Sequence, residues 1–192
     1  MIETFIAALV ADGSEAVHVP DAAAARAHVA TLLGSDTTLC YWSGDPLVMS
    51  IDPASLGREV PAADADAGIT GAAFGVAETG TLVLTYGAGR SRGTGLLPDL
   101  HIALLAADRL QPTLEQAIAK VYADDVPRAM TLVTGASATS DIEKIRVTGA
   151  HGPRRVAVVI VGGPAGPPSA HSRDTYQGSD PAWRGLTPTG GV

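Results

Sequence analysis

Val156-Ala-Val-Val-Ile-Val161 contains no polar side chain, and the reading of this run decides the fold. A strand with one wet face alternates apolar and polar residues. An uninterrupted apolar run belongs instead to a strand covered on both faces, as in a parallel sheet between two layers. Working back along the chain, Met130 to Thr134 reads as another strand, Thr113 to Val121 as a helix set just after Pro112, and Leu100 to Ala106 as a buried strand. Gly87-Ala-Gly-Arg-Ser-Arg-Gly-Thr-Gly95 is loop chemistry. Ile69 to Val76 and Thr81 to Tyr86 flank Ala-Glu-Thr-Gly at 77–80, the pattern of two strands joined by a tight, glycine-containing connection. Residues 52–59 read as a short helix with Pro53 at its first position, 37–42 as a strand, and 21–33 as a helix opened by Asp21 and stopped by Gly34. Strands alternating with helices over this length predict an α/β layered domain.

The chain has 192 residues, of which 46% are apolar and 17% charged. A chain of this length buries roughly 70% of the surface that its unfolded form exposes, enough for one hydrophobic core without staples. Residues 1–162 are expected to form that single domain. Residues 163–192 hold six Gly and five Pro with few large apolar groups and are expected to be a tail, with Trp183 and Leu186 as its anchors. Cys40 is the only cysteine, which excludes a disulfide scaffold and any iron–sulfur cluster or zinc site built on several thiolates of this chain. The net charge is −7, with −9 over residues 1–78 and +2 over 79–162. Such a balance argues against binding a phosphate backbone, which needs clustered Lys and Arg, and leaves room for a small anion in the second segment. No run approaches the ~18 apolar residues of a membrane span. The apolar start has an acidic flank, Glu3, rather than a basic one, so no secretory signal is expected and the cytoplasm is the expected location.

Several residues carry chemistry. Glu78 is a lone carboxylate between two apolar runs, beside Thr79, Gly80 and Thr81. Partial burial there would raise its pKa toward the range of a general acid or base; the plain alternative is a turn-tip glutamate in water. Thr134-Gly-Ala-Ser-Ala-Thr-Ser-Asp-Ile-Glu143 follows a predicted strand. Its small residues let backbone approach a carboxylate or phosphate, and Thr134, Gly135, Ser137, Thr139, Asp141 and Glu143 are the candidates. Ser140 and Glu143 also form a capping box, which would use both side chains to start a helical turn. His101 and His151 precede or open strands and suit proton transfer near neutral pH, or serve as structural hydrogen-bonders. No pair of histidines has metal-ligand spacing, so no metal site is expected. Arg90 and Arg92 offer forked donors to an anionic substrate or are solvated loop residues. Cys40, inside a strand, reads as a core thiol.

Gly75-Val-Ala-Glu-Thr-Gly-Thr81, Leu96-Leu-Pro-Asp-Leu-His-Ile102, the 134–143 stretch and Gly149-Ala-His-Gly-Pro153 occur together, in this order, over residues 69–161. In this the chain resembles the lactate-utilisation protein C (LUD domain) family. The resemblance implies a three-layer α/β fold with a mostly parallel sheet flanked by helices, similar to that of ribose-5-phosphate isomerase, glucosamine-6-phosphate deaminase and the CoA transferases. It also implies a cluster-free cytoplasmic subunit of an L-lactate to pyruvate oxidation system. Its iron–sulfur clusters would be held by partner proteins, with no cofactor in this chain. The site expected from it is one pocket formed by Glu78, Thr79, Gly80, Thr81, His101, Thr134, Gly135, Ser137, Thr139, Asp141, Glu143 and His151, with Arg90 as a further substrate-binding candidate. Two other classes stay open: a self-sufficient enzyme acting on a CoA thioester or sugar phosphate with Glu78 as nucleophile or base, and a non-catalytic scaffold subunit.

Overall fold

A computed structural model describes residues 1–124, 126–136, 138–140, 146–148 and 152–163. Helix α1 (Ile2–Ala11) buries Phe5 and Leu9, four residues apart on one face. Asp12 to Ser14 then hand the chain to β1 (Glu15–Val19). Asp21 opens α2 (Ala22–Leu33) by accepting a hydrogen bond from Ala24 N at 2.9 Å, and Gly34 ends it at φ 68°. Ala25, Val29 and Leu33 are its buried face. Strand β2 (Thr38–Tyr41) follows, then the short α3 (Pro46–Ser50), whose first N–H groups are capped by Asp45.

The helix expected over 52–59 shrinks to a 3-10 turn at Pro53–Ser55, followed by the two-residue strand β3 (Arg58–Glu59). Pairing with β2 explains the change: Arg58 and Glu59 align with Thr38 and Leu39. Gly57 lets the backbones close up, since a Cβ there would lie 2.6 Å from Thr37 O. The run from Ile69 to Val76 also divides, into β4 (Ala67–Gly71) and β5 (Phe74–Val76). At the break, Ala72 N donates to Leu104 O and Ala73 N to Val83 O, so the chain crosses from one sheet to another within two residues. The expected tight connection joins β5 to β6 (Thr81–Thr85).

Strand β7 (Leu100–Ala106) spans the residues read from the sequence. After β8 (Leu110–Gln111) come α4 (Leu114–Asp124) and β9 (Met130–Val133). Strands β10 (Ala138–Ser140) and β11 (Arg146–Thr148) pair with each other, and β12 (Arg155–Val161) closes the described chain.

Among the described residues, six strands form a parallel sheet in the order β1-β12-β7-β4-β2-β3. The apolar run that opened the reading lies inside it: β12 sits between β1 and β7, with Val159 aligned to Val17 and Leu104, and Val156 to Val161 are all buried. Helix α2 packs on β12 and β1, and α3 on β4 and β7. The fold is therefore α/β, with a parallel sheet flanked by helices. A second sheet, β8-β5-β6-β9, is mixed and was not expected from the sequence. Its two faces follow the strand period of two. Leu82 and Leu84 join the main core, while Phe74, Val76 and Val83 pack with Ala117 and Val121 of α4 in a second, smaller core. Gly75 permits the close approach, because a Cβ there would meet Leu105 Cδ2 at 2.6 Å and Phe5 Cζ at 3.0 Å.

Candidate functional site

In an open parallel sheet, loops gather ligands outside the carboxyl ends of the strands, where neighbouring connections leave in opposite directions. Here that point lies between β2, whose chain continues outward to β3, and β4, whose chain returns toward β7. Trp42, 1% exposed, leads out of β2. Its backbone N–H donates to Ile69 O at 3.0 Å, its Nε1 donates to Ser91 O at 2.7 Å, and its ring meets Tyr86 edge-on at 5.8 Å. Gly44 N donates to Gly89 O at 3.0 Å, and a Cβ on Gly44 would fall 2.2 Å from Ala88 O, so the Gly87–Arg90 turn rests directly on this loop. Asp45 Oδ1 accepts from Leu47 N at 3.0 Å and Val48 N at 3.1 Å. Its Oδ2 lies 2.2 Å from where a Cβ on Gly71 would stand, which leaves room there for glycine alone. Arg90 folds its guanidinium over Gly87, and its Nε is buried with no hydrogen-bond partner among the described residues.

Other predicted site residues lie at the opposite edge. Gly80, at φ +67°, packs on Ala8 and Leu9, and Gly135, at φ +77°, on Asp12. Since α1 ends where β1 begins, this is the edge at which the parallel strands start. Thr79 Oγ1 and Thr81 Oγ1 are 2.8 Å apart, and Thr81 Oγ1 and Thr134 Oγ1 also 2.8 Å, so a hydroxyl chain joins two motifs 53 residues apart in sequence. Thr79 and Thr134 are exposed and Thr81 is buried. Glu78 is exposed, and its Oε1 accepts from Leu114 N at 3.2 Å, which makes it a cap on α4.

His101 is in a third place. It is the second residue of β7, aligned with Gly68 and Val156, and it is wholly buried. Its Nε2 shares a hydrogen bond with Thr70 Oγ1 at 2.8 Å, and its Nδ1 has no partner among the described residues. Burial pushes its pKa down to about 4, so the ring is neutral at ordinary pH. Burial likewise raises the pKa of the Cys40 thiol, which faces the interior beside Thr94.

The structure thus brings Thr79, Gly80, Thr81, Thr134 and Gly135 together, with Glu78 at their side. It sets Arg90 apart from them: Thr81 opens β6, and Arg90 lies beyond its other end at Thr85, about 13 Å of extended chain away. Ser137, Asp141, Glu143 and His151 lie outside the described residues, and of Thr139 only the backbone is described. Among the described residues, no group of three or more His, Cys, Asp or Glu is placed to hold a metal ion. No helix among them is long and apolar enough to cross a membrane. The residues missed from the sequence are Trp42, Ser43, Asp45 and Gly71. Their signal was Ser-Gly-Asp-Pro at 43–46 after a strand, where an Asp before Pro marks both a helix cap and the carboxyl edge of a sheet.

An α/β domain with an open parallel sheet and a second, mixed sheet drawn from the β4–β7 and β7–β12 connections is the class that this geometry defines. The chain belongs to the LUD domain family, which matches residues 54–161. It is 43% identical over 100 residues to Lactate utilization protein C of Deinococcus radiodurans, covering 51% of this chain and 47% of that protein. To Lactate utilization protein C of Halalkalibacterium halodurans it is 35% identical over 105 residues, covering 52% of this chain and 46% of the other. The chain spans about half the length of these relatives. A crystal structure of a DUF162 family protein from Deinococcus radiodurans superimposes with a TM-score of 0.62 at 25% identity, covering 83% of this chain and 95% of the other.

Proposed function

We propose that this chain serves in lactate utilisation as a cytoplasmic, cluster-free component of an assembly that oxidises L-lactate to pyruvate. Similarity to two proteins named Lactate utilization protein C supports the process. The chemistry supports the division of labour. Converting lactate to pyruvate removes two electrons and two protons. A cysteine takes up such a change reversibly as a disulfide with a second cysteine or as a sulfenic acid at an exposed thiolate; this chain has one cysteine, and it is buried. The electrons therefore pass to an acceptor outside the chain, for which iron–sulfur partner proteins are the proposal.

The ligand assigned to this component is a small carboxylate anion at Glu78, Thr79, Thr81 and Thr134. The observation that carries this assignment is the hydroxyl chain linking the two motifs. Exposed threonine hydroxyls can donate to a carboxylate or exchange hydrogen bonds with the hydroxyl of a hydroxy acid. The test is growth on L-lactate of a host deleted for its own component of this kind, together with co-purification from that host. The wild-type chain should restore growth and carry cluster-bearing proteins with it. Thr81→Val with Thr134→Val should fold and fail to restore growth. Full growth with the double variant would remove the assigned ligand site, and a chain that purifies alone and restores nothing would remove the assembly.

A further inference from the structure

We infer that the turn Gly87–Arg90, seated on the Trp42–Asp45 loop at the carboxyl edge of the parallel sheet, is a second site, which binds the oxyanion of a small ligand through the Arg90 guanidinium. It lies at the other end of β6 from the threonine hydroxyls and does not depend on the role proposed for them.

The first support is charge. Arg90 is half-buried, and its buried Nε has no acceptor among the described residues. Taking a cation partly out of water without an acceptor is costly, and an N–H left unpaired in the interior adds to that cost. The other structural arginines do not share this condition. Arg26 donates to Ile51 O, Asp52 and Ser55, and Arg155 to Glu15 at 2.7 Å. An incoming oxyanion would supply the missing acceptor, and the planar fork suits a carboxylate or phosphoryl group.

The second support is construction. The turn is held by Gly44 N to Gly89 O, by Arg90 N to Gly87 O at 3.1 Å, and by Trp42 Nε1 to Ser91 O. Gly89 has φ +65°, and a Cβ there would lie 2.5 Å from Gly44 N, so packing and backbone both require glycine. Ser43, exposed, places its Oγ 3.0 Å from that same point and adds a hydroxyl donor beneath the turn. A cation on a pinned turn loses little freedom on binding. The third support is position, since this is the sheet edge at which the connections diverge, where open parallel sheets gather ligands.

The full chain is titrated separately with sodium L-lactate and with inorganic phosphate, following the Arg90 Nε–H resonance and the midpoint of thermal unfolding. At least one anion should move that resonance in a saturable way and raise the midpoint. Lactate acting alone identifies a carboxylate ligand, and phosphate acting alone a phosphoryl-bearing one. Arg90→Gln should weaken the effective anion at least tenfold, and Arg90→Lys, which keeps the charge without the fork, should weaken it several-fold. Lys120→Gln, which removes an exposed cation on α4 outside both sites, should leave it unchanged. A resonance unmoved by either anion overturns the inference, and so does equal affinity in the wild type and Arg90→Gln. The direct resonance reading on the wild type decides the matter should Arg90→Gln not fold. Growth on lactate tests the other edge, so the two proposals fail separately.

Discussion

Lowering the pH from 7 to 4 perturbs one interior group above all, His101. Its ring has no exposed surface, a single hydrogen bond to Thr70 Oγ1, and an Nδ1 without a partner among the described residues. A proton added to this ring creates a buried cation with nothing opposite it, and burial holds the folded pKa at about 4 against an ordinary 6.5. The unfolded chain takes up the proton near 6.5, whereas the folded chain resists until about 4. Across that window the unfolded state binds more protons, so stability is fully present above 6.5 and is lost as pH falls toward 4. At about 1.4 kcal/mol per pKa unit, the loss reaches about 3 kcal/mol. The assay is urea unfolding at half-unit steps from pH 7.5 to 4, comparing the wild type with His101→Gln, which cannot titrate. The wild type should lose about 3 kcal/mol more than the variant. Asp66, whose pKa is lowered by hydrogen bonding from the Thr38 hydroxyl, loses its contribution below its ordinary 3.8, outside the window. Parallel slopes in the two proteins, or a His101 imidazole resonance titrating near 6.5, would refute the reasoning.

Gly71→Ala should destabilise by about 2 kcal/mol, because the new Cβ displaces Asp45 and costs α3 its cap; denaturant unfolding reads this directly. Gly80→Ala combines a positive φ with a Cβ 2.8 Å from Leu9 N and should cost about 2–3 kcal/mol by the same measurement. Glu78→Ala removes the acceptor from Leu114 N and should cost about 0.5–1 kcal/mol, with amide exchange quickening in the first turn of α4. Truncation after Gly163 should move the melting temperature by less than about 4 °C, given the composition of the segment removed.

Much of the main sheet was legible because its strands carry a purely local signature. An apolar run such as Leu100–Ala106 or Val156–Val161, bounded by turn residues, is a covered strand whatever surrounds it. Helix α2 announced both of its ends through Asp21 and Gly34. The break at Ala72 and Ala73 left no such mark. Both residues are small and apolar like their neighbours, and only the acceptors Leu104 O and Val83 O, remote in sequence, separate β4 from β5. At the candidate site, the threonines and glycines of 79–81 and 134–135 were legible as a group. Glu78 stood out because it is charged, yet its hydrogen bond to Leu114 N depends on where α4 begins.

The sequence by itself determined that this chain alternates buried apolar strands with helices and that it offers a single thiol, since burial preference, backbone period and residue inventory are local properties. It also determined which small and hydroxylated residues stand beside strand ends. Tertiary structure alone decided which ends those are. The threonine hydroxyls sit where the parallel strands start because Gly80 and Gly135 rest on the end of α1, while Arg90 sits where the strands finish because its turn rests on Gly44. His101, equally legible as a titratable group, became an interior neutral ring because Gly68, Val156 and Gly95 close around it. The physical reason is the same in each case: a side chain's chemistry is set by its neighbours in space, and in a parallel sheet those neighbours come from strands far apart in the chain.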